Sequence, residues 1–272
     1  MSRRLLLAVA LLTACAGHPP AAPAGWSGAD VVLLGEVHDN AEAHARRLTL
    51  LQEALAAGWR PALVMEQFDR EHQMALTAGQ RDCGEDIGCL IRAGAGAVDG
   101  GWHWAYYRPL LALAQRYRLP LVAANLSRAD ALRVMRGDMS VLTAHQRQRL
   151  ERVPADLRNA QAQAVAEGHC HLLPERLLPG MARAQIARDL VMTDALSAHR
   201  GHGAVLLAGN GHVRRDLGVP RWLPDSLGVG FLERPRDPAD GRYDQVVLVP
   251  AASRGDPCES LSPAPASHPP AP

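Results

Sequence analysis

The sequence contains no lysine: all 29 of its basic side chains are arginine. That absence excludes a Schiff-base enzyme, a P-loop lysine and a Ser-Lys dyad. It also has no Gly-x-Ser-x-Gly segment, so an α/β hydrolase with a serine nucleophile elbow is not written here. Gly209-x-Gly211 stops short of the dinucleotide fingerprint, because Arg214 stands where the third glycine belongs. NAD is therefore not expected. Formal net charge is only +1, and no long basic run stands on an aromatic-interleaved face, so nucleic acid is not an expected partner. The apolar run at residues 5–12 is too short for a hydrocarbon core that needs about 20 residues to cross.

What stands at the front is a basic Met1-Ser2-Arg3-Arg4, the short apolar run, and Leu12-Thr13-Ala14-Cys15. That order reads as a signal peptide over residues 1–14. Leu12-Thr13-Ala14-Cys15 resembles the lipobox of bacterial lipoproteins, which implies cleavage before Cys15 and acylation of that cysteine. Ala16 follows the cysteine where an aspartate would resemble an inner-membrane retention signal. The implied address is the outer membrane, lipid-anchored and facing the periplasm. Residues 15–29 are rich in proline and alanine and read as a tether; residues 251–272, with little to bury, read as a disordered tail. Residues 30–250 are then one large domain. Among the remaining cysteines, Cys83 and Cys89 close a short loop flanked by Gly84 and Gly88, and an exported setting favours a disulfide there. Cys170 either pairs with the distant Cys258 or stays free as a soft ligand between His169 and His171.

Val31-Val32-Leu33-Leu34 is a strand-like run that ends at Gly35-Glu36-Val37-His38-Asp39-Asn40, where Asp39 or Asn40 can cap a helix. Leucines at helical spacing follow, and Ala62-Leu63-Val64-Met65 forms a second strand ending at Glu66. Helices are expected over 69–78 and 106–117, with the glycine-rich residues 79–101 between them as an insertion or lid. A third strand ends at Asn125, and Ser127 caps a helix through Met135. Residues 140–168 read as helical excursions broken at Pro154, and 181–199 as the longest helix. A fourth strand, Ala204-Val205-Leu206-Leu207-Ala208, ends at Gly209-Asn210-Gly211-His212, and two short strands near 229–232 and 246–249 finish the sheet. Strands alternating with helices predict an α/β fold: a mostly parallel sheet with helices on both faces and a helical or loop insertion.

Ligands in such sheets sit beyond the carboxyl ends of the strands. Glu36, His38, Glu66, Asn125 and His212 all follow strands and fall on that rim. Two imidazoles and two carboxylates, His38, His212, Glu36 and Glu66, suit a borderline or hard divalent metal. Read as an enzyme, the catalytic set is Glu36 as general base with His38 and His212. Aromatics are only 4% of the chain, yet Trp102-His103-Trp104-Ala105-Tyr106-Tyr107 is almost all rings. That cluster reads either as a buried corner or as a wall for a flat macrocycle, with Tyr106, Tyr107 or His103 as iron ligand. His169 and His171 belong to the same contest. His44 and His72, on helical patterns with charged neighbours, are expected to face solvent.

Taken together, Gly35-Glu36-Val37-His38-Asp39-Asn40, Val64-Met65-Glu66-Gln67-Phe68, Trp104-Ala105-Tyr106-Tyr107-Arg108-Pro109, Ala123-Ala124-Asn125, His169-Cys170-His171-Leu172-Leu173-Pro174, Met181-Ala182-Arg183-Ala184-Gln185 and Gly209-Asn210-Gly211-His212-Val213-Arg214 resemble the ChaN-like haem-binding lipoproteins. The resemblance spans roughly residues 30–250. It implies an α/β fold, haem binding at the outer membrane and a part in iron uptake or storage, with an outer-membrane haem receptor and a second copy of the chain as partners. The two Gly-x-x-His motifs also resemble those of a wider superfamily that contains Tiki and TraB-type proteins and erythromycin esterases. That likeness implies the rival reading, a metal-dependent hydrolase with His38 and His212 as ligands or acid/base groups. A third reading is an assembly protein whose rim is relict.

Overall fold

The structure is a computed structural model and describes residues 26, 29–96, 101–234, 241–255 and 258. Cys15, the expected leader and most of the expected tether lie outside the described residues. The elements run β1 (Val31–Leu34), α1 (Ala41–Ala56), β2 (Ala62–Asp69), α2 (Gln73–Asp82), α3 (Ile87–Ala95), α4 (Arg108–Tyr117), β3 (Leu121–Asn125), α5 (Arg128–Met135), α6 (Ala144–Glu151), α7 (Ala155–Gly168), α8 (Leu178–Ser197), β4 (Ala204–Leu207), β5 (Leu227–Glu233) and β6 (Gln245–Val249).

The six strands form one sheet in the order β3-β2-β4-β1-β5-β6, and every neighbouring pair is parallel. Both faces are covered, which is why β1 and β4 are apolar at every position rather than alternating with polar residues. Val32, Leu34, Leu63, Met65, Val205 and Leu207 point to one core, shared with Leu51 and Leu55 of α1, Leu90 of α3 and Leu111 of α4. Val31, Leu33, Val64 and Leu206 point to the other face, under Met192 and Leu196 of α8. Truncating one of these fully buried leucines, Leu33→Ala for example, is expected to cost about 2–5 kcal/mol.

α8 is buried on two sides. One side packs on the sheet; the other carries α5, α6 and α7, which meet Ile186 and Leu190 through Val134, Leu150 and Leu157. The helical excursion expected at 140–168 is thus a second layer on α8, and Pro154 marks the start of α7 as expected.

Register sets the rim. Leu207 pairs with both Leu34 and Met65, and Leu34 with Val229, so Gly35, Glu66 and Ala208 stand at one level. β2 does not end there: it continues to Asp69, with a register shift against β3 between Met65 and Asp69. Glu66 is therefore a rim residue inside a strand, not at its end. The insertion expected at 79–101 contains α3, folded back on α2 with Leu90 and Ile91 buried and the Cys83–Cys89 disulfide joining the two. The second pair is Cys170–Cys258, so Cys170 is not a free ligand. Residues 251–255, expected to hold nothing, meet the rim: Ala252 N–H donates to Glu233, and Arg254 pairs with Asp39 and Glu233.

Candidate functional site

The two Gly-x-x-His turns lock into each other. A Cβ on Gly35 would fall 2.2 Å from Asn210 Oδ1, so only glycine lets the second turn close on the first. Asn210 then clamps β5, donating to the Phe231 carbonyl at 2.6 Å and accepting from its N–H at 3.0 Å. A Cβ on Gly209 would stand 3.1 Å from His38 Nε2, so that glycine leaves room for the ring. Asn40, not Asp39, caps α1, accepting from Ala43 N–H at 2.8 Å.

Glu36 is the hub of the first turn and is buried. It accepts from His38 Nδ1 at 2.7 Å, from the Tyr107 hydroxyl at 2.5 Å and from Gln67 at 3.3 Å, and it pairs with Arg47. Burial alone would raise this carboxyl, but Arg47, together with the hydrogen bond and charge of His38 and the nearby His44, holds it well below the usual carboxylate range. Burial works against charge on His38, yet the bond to Glu36 and the charges of Glu66 and Glu36 raise its pKa above the ordinary value. His38 Nδ1–H is thereby fixed toward Glu36 while more than half of the side chain stays exposed.

His44 does not face solvent. It is buried: Arg47 donates to its Nδ1 at 2.9 Å, its Nε2–H donates to the His38 carbonyl at 3.0 Å, and Tyr106 stacks on it at 4.6 Å. Burial and then the Arg47 charge push its pKa down to about 4, so it is neutral. His72 is half-buried against Gly96, where a Cβ would meet its ring at 2.8 Å.

His212 belongs to a separate buried trio. Its Nδ1 donates to Asp189 at 2.6 Å, its Nε2 faces Glu66 at 3.4 Å, and the other Glu66 oxygen accepts from Gly209 N–H at 2.8 Å. Burial disfavours the imidazolium, but Glu66 and Asp189 outweigh it and raise His212 to about 10. Glu66, despite burial, is drawn down to about 2, chiefly by His212. Asp189 goes the other way, up to about 6, because burial and the charge of Glu66 exceed what His212 returns.

These partners correct the metal reading. A cationic His212 with both nitrogens on carboxylates has no lone pair for an ion, and Glu36 is taken up by Arg47, Tyr107 and His38. Among the described residues no group of three candidate ligands is placed to hold a metal. The same chemistry weakens the hydrolase reading, since a carboxylate held that far below its usual range is a poor general base. Asn125 joins the rim only indirectly, bridging Asp69 and Arg188 at 2.8 Å each. Tyr107, named from the sequence as a haem ligand, is fully buried with its hydroxyl committed to Glu36. Desolvation and the Glu36 charge hold that phenol well above its usual range, so it stays protonated. Tyr106 is half-buried between His44 and His103, and Trp102 stands edge-on to His38 at 5.0 Å.

Over the rim opens a cavity of about 1340 Å³ lined by His38 and His212 and by His169 at the end of α7. Its wall away from the sheet is α5, α7 and α8, through Leu132, Met135, Val165 and Met181. Arg128 and Arg188 line it as well. His169 Nδ1–H donates to the Val165 carbonyl at 2.8 Å, which leaves Nε2 as the nitrogen with a lone pair. The cavity suits a large, flat, mostly apolar ligand that carries negative charge at an edge, and haem fits that description. The sequence reading missed Arg47, Asp189 and Arg188. The first two sit at core spacing on α1 and α8, which was the one signal available.

The haem-binding uptake family ChaN, of the Tiki superfamily, matches residues 23–223. Among solved structures, the one described as cofacial heme binding to ChaN of Campylobacter jejuni aligns with a TM-score of 0.67 at 21% identity, covering 80% of this chain and 86% of that one. An erythromycin esterase mutant in its open conformation aligns at 0.45 and 14% identity, over 86% of this chain and 79% of the other. Among curated proteins none matches. The Campylobacter likeness agrees with the wholly parallel α/β fold, and the family match spans both Gly-x-x-His turns: this chain belongs to the ChaN haem-binding family.

Proposed function

We propose that the chain takes haem into the rim cavity and serves haem uptake or storage, anchored through an acylated Cys15 to the outer membrane on its periplasmic face. The observation that carries this reading is the cavity of about 1340 Å³ whose lining includes both His38 and His169. Each of these imidazoles has its Nδ1–H on an oxygen acceptor, Glu36 or the Val165 carbonyl, and so presents Nε2. Such a bond fixes the tautomer and raises ligand basicity. A bound haem iron would accept the lone pair of an imidazole Nε2, and at His38, whose pKa is raised, it would compete with a proton. Leu132, Met135, Val165 and Met181 offer apolar contact to the ring, and Arg128 and Arg188 offer guanidinium partners to its carboxylates. The partners that go with this role are an outer-membrane haem receptor and a second copy of the chain, as the likeness to the family suggests. Titrating the purified protein with haem while recording the Soret band tests the reading. Saturable binding at micromolar haem is expected, and a spectrum that only adds free haem would overturn it.

A further inference from the structure

On the far side of α8 from the rim, α6, α7 and α8 enclose a second cavity of about 290 Å³. That is just under the usual range of small-molecule sites, about 300–1,000 Å³. Its floor is apolar and buried: Leu150, Val153, Ala182 and Ile186. α8 turns Ala182, Arg183 and Ile186 to this cavity and Met181, Ala184 and Arg188 to the rim cavity, so the two are separated by the helix itself.

Three guanidiniums line the second cavity: Arg147 from α6, Arg158 from α7 and Arg183 from α8. Arg147 donates to the Leu142 carbonyl at 2.5 Å, Arg158 to that of Val153 and Arg183 to that of Val134 at 3.5 Å. Among the described residues none of the three has a carboxylate partner; Asp194, the acid near α6, is paired with Arg149 instead. Glu151 is the single acid among the lining residues, so three cations stand against one anion.

An apolar floor too small for two acyl chains, under a cationic rim with donors to spare, suits one kind of ligand. We propose that this cavity is a second binding site, for a single-chain amphiphile with an anionic head, carboxylate or phosphate: the chain lies on Leu150, Val153 and Ile186, and the head pairs with the arginines. An anionic head taken from water is held only where charged donors meet it, and the guanidinium fork matches two oxygens of a carboxylate or a phosphate. The site needs nothing from the rim and does not depend on the haem reading.

Isothermal titration of the full-length protein with decanoate, decanol and decyl phosphate tests it. Saturable binding of decanoate and of decyl phosphate is expected, with decanol weaker. Arg158→Gln should weaken decanoate about tenfold, the loss of one charge-assisted pair. Ala162→Leu, which places a larger side chain from the α7 wall into the cavity, should abolish binding, with an unchanged circular dichroism spectrum as the check on folding. No saturable heat up to millimolar decanoate would overturn the proposal. So would equal binding of decanol, or a filled variant that binds as the wild type does.

Discussion

Tyr107 donates its phenolic proton to Glu36 Oε1 at 2.5 Å, and the same oxygen accepts Nδ1–H from His38 at 2.7 Å. A tyrosine from the aromatic stretch before α4 thus acts on the rim from within the core, through a carboxylate, and holds an exposed histidine in one orientation. Tyr107→Phe keeps the ring and removes the donor. It is expected to lower unfolding free energy by about 1–3 kcal/mol, read as a lower midpoint in urea, while haem affinity stays nearly unchanged. Loss of haem binding with stability intact would assign the phenol a direct role.

Arg47 and Glu36 are both fully buried and paired. Removing one partner strands a charge in the core, so Arg47→Ala is expected to cost about 3–5 kcal/mol. Arg47→Met with Glu36→Gln removes both charges and should recover most of that loss. Denaturant unfolding of the single and double variants measures the difference, and a double variant as unstable as Arg47→Ala would show that the pair is not the source of the cost.

His212 titrates at about 10 in the folded protein, against about 6.5 for a free imidazole. A raised pKa on a base means the folded state holds the proton more tightly. The stabilisation is fully present below pH about 6.5 and is lost as pH rises through the folded value. Stability of the wild type relative to His212→Gln should therefore shrink between pH 7 and about 10. A difference that is flat over that window would place the proton elsewhere in the trio.

Cys170 and Cys258 close a loop with a sequence separation of 88. Cross-links over long loops mainly restrict the unfolded chain. Cys258→Ser is expected to lower stability by about 2–4 kcal/mol, and mass mapping of the unreduced protein should recover Cys170–Cys258 together with Cys83–Cys89. Finding Cys170 as a free thiol would contradict the pairing.

The sheet was legible because β1, β4 and the first half of β2 are short apolar runs followed by glycine or a polar residue, although the continuation of β2 through Glu66 to Asp69 was not. Helix starts at Asn40, Ser127 and Pro154 were legible because capping and breaking act within a few residues. The faces of the helices were harder to read. His44 and Arg47 sit on the stripe of α1 that also buries Ala43, Leu51 and Ala54, yet for His44 the charged neighbours in sequence suggested solvent. Asp189 lies among Ile186, Ala187 and Leu190 on α8, where its partner His212 comes from a turn 23 residues away. Arg188 reaches Asn125 across 63 residues, and Arg254 reaches Asp39 across 215. Local pattern carries no record of such long-range pairs, so the rim residues could be named from the sequence while their charge states could not.

The most direct test of haem in the rim cavity is a Soret titration comparing variants on the two sides of His38. His38→Ala and His169→Ala change residues that line the cavity, and His103→Ala and Tyr106→Phe change the aromatic wall beside it. The account predicts that at least one of the cavity variants weakens haem roughly tenfold or more and shifts its ligand-sensitive bands, while both wall variants bind as the wild type does. Haem binding that survives His38→Ala and His169→Ala together but fails in Tyr106→Phe would contradict it.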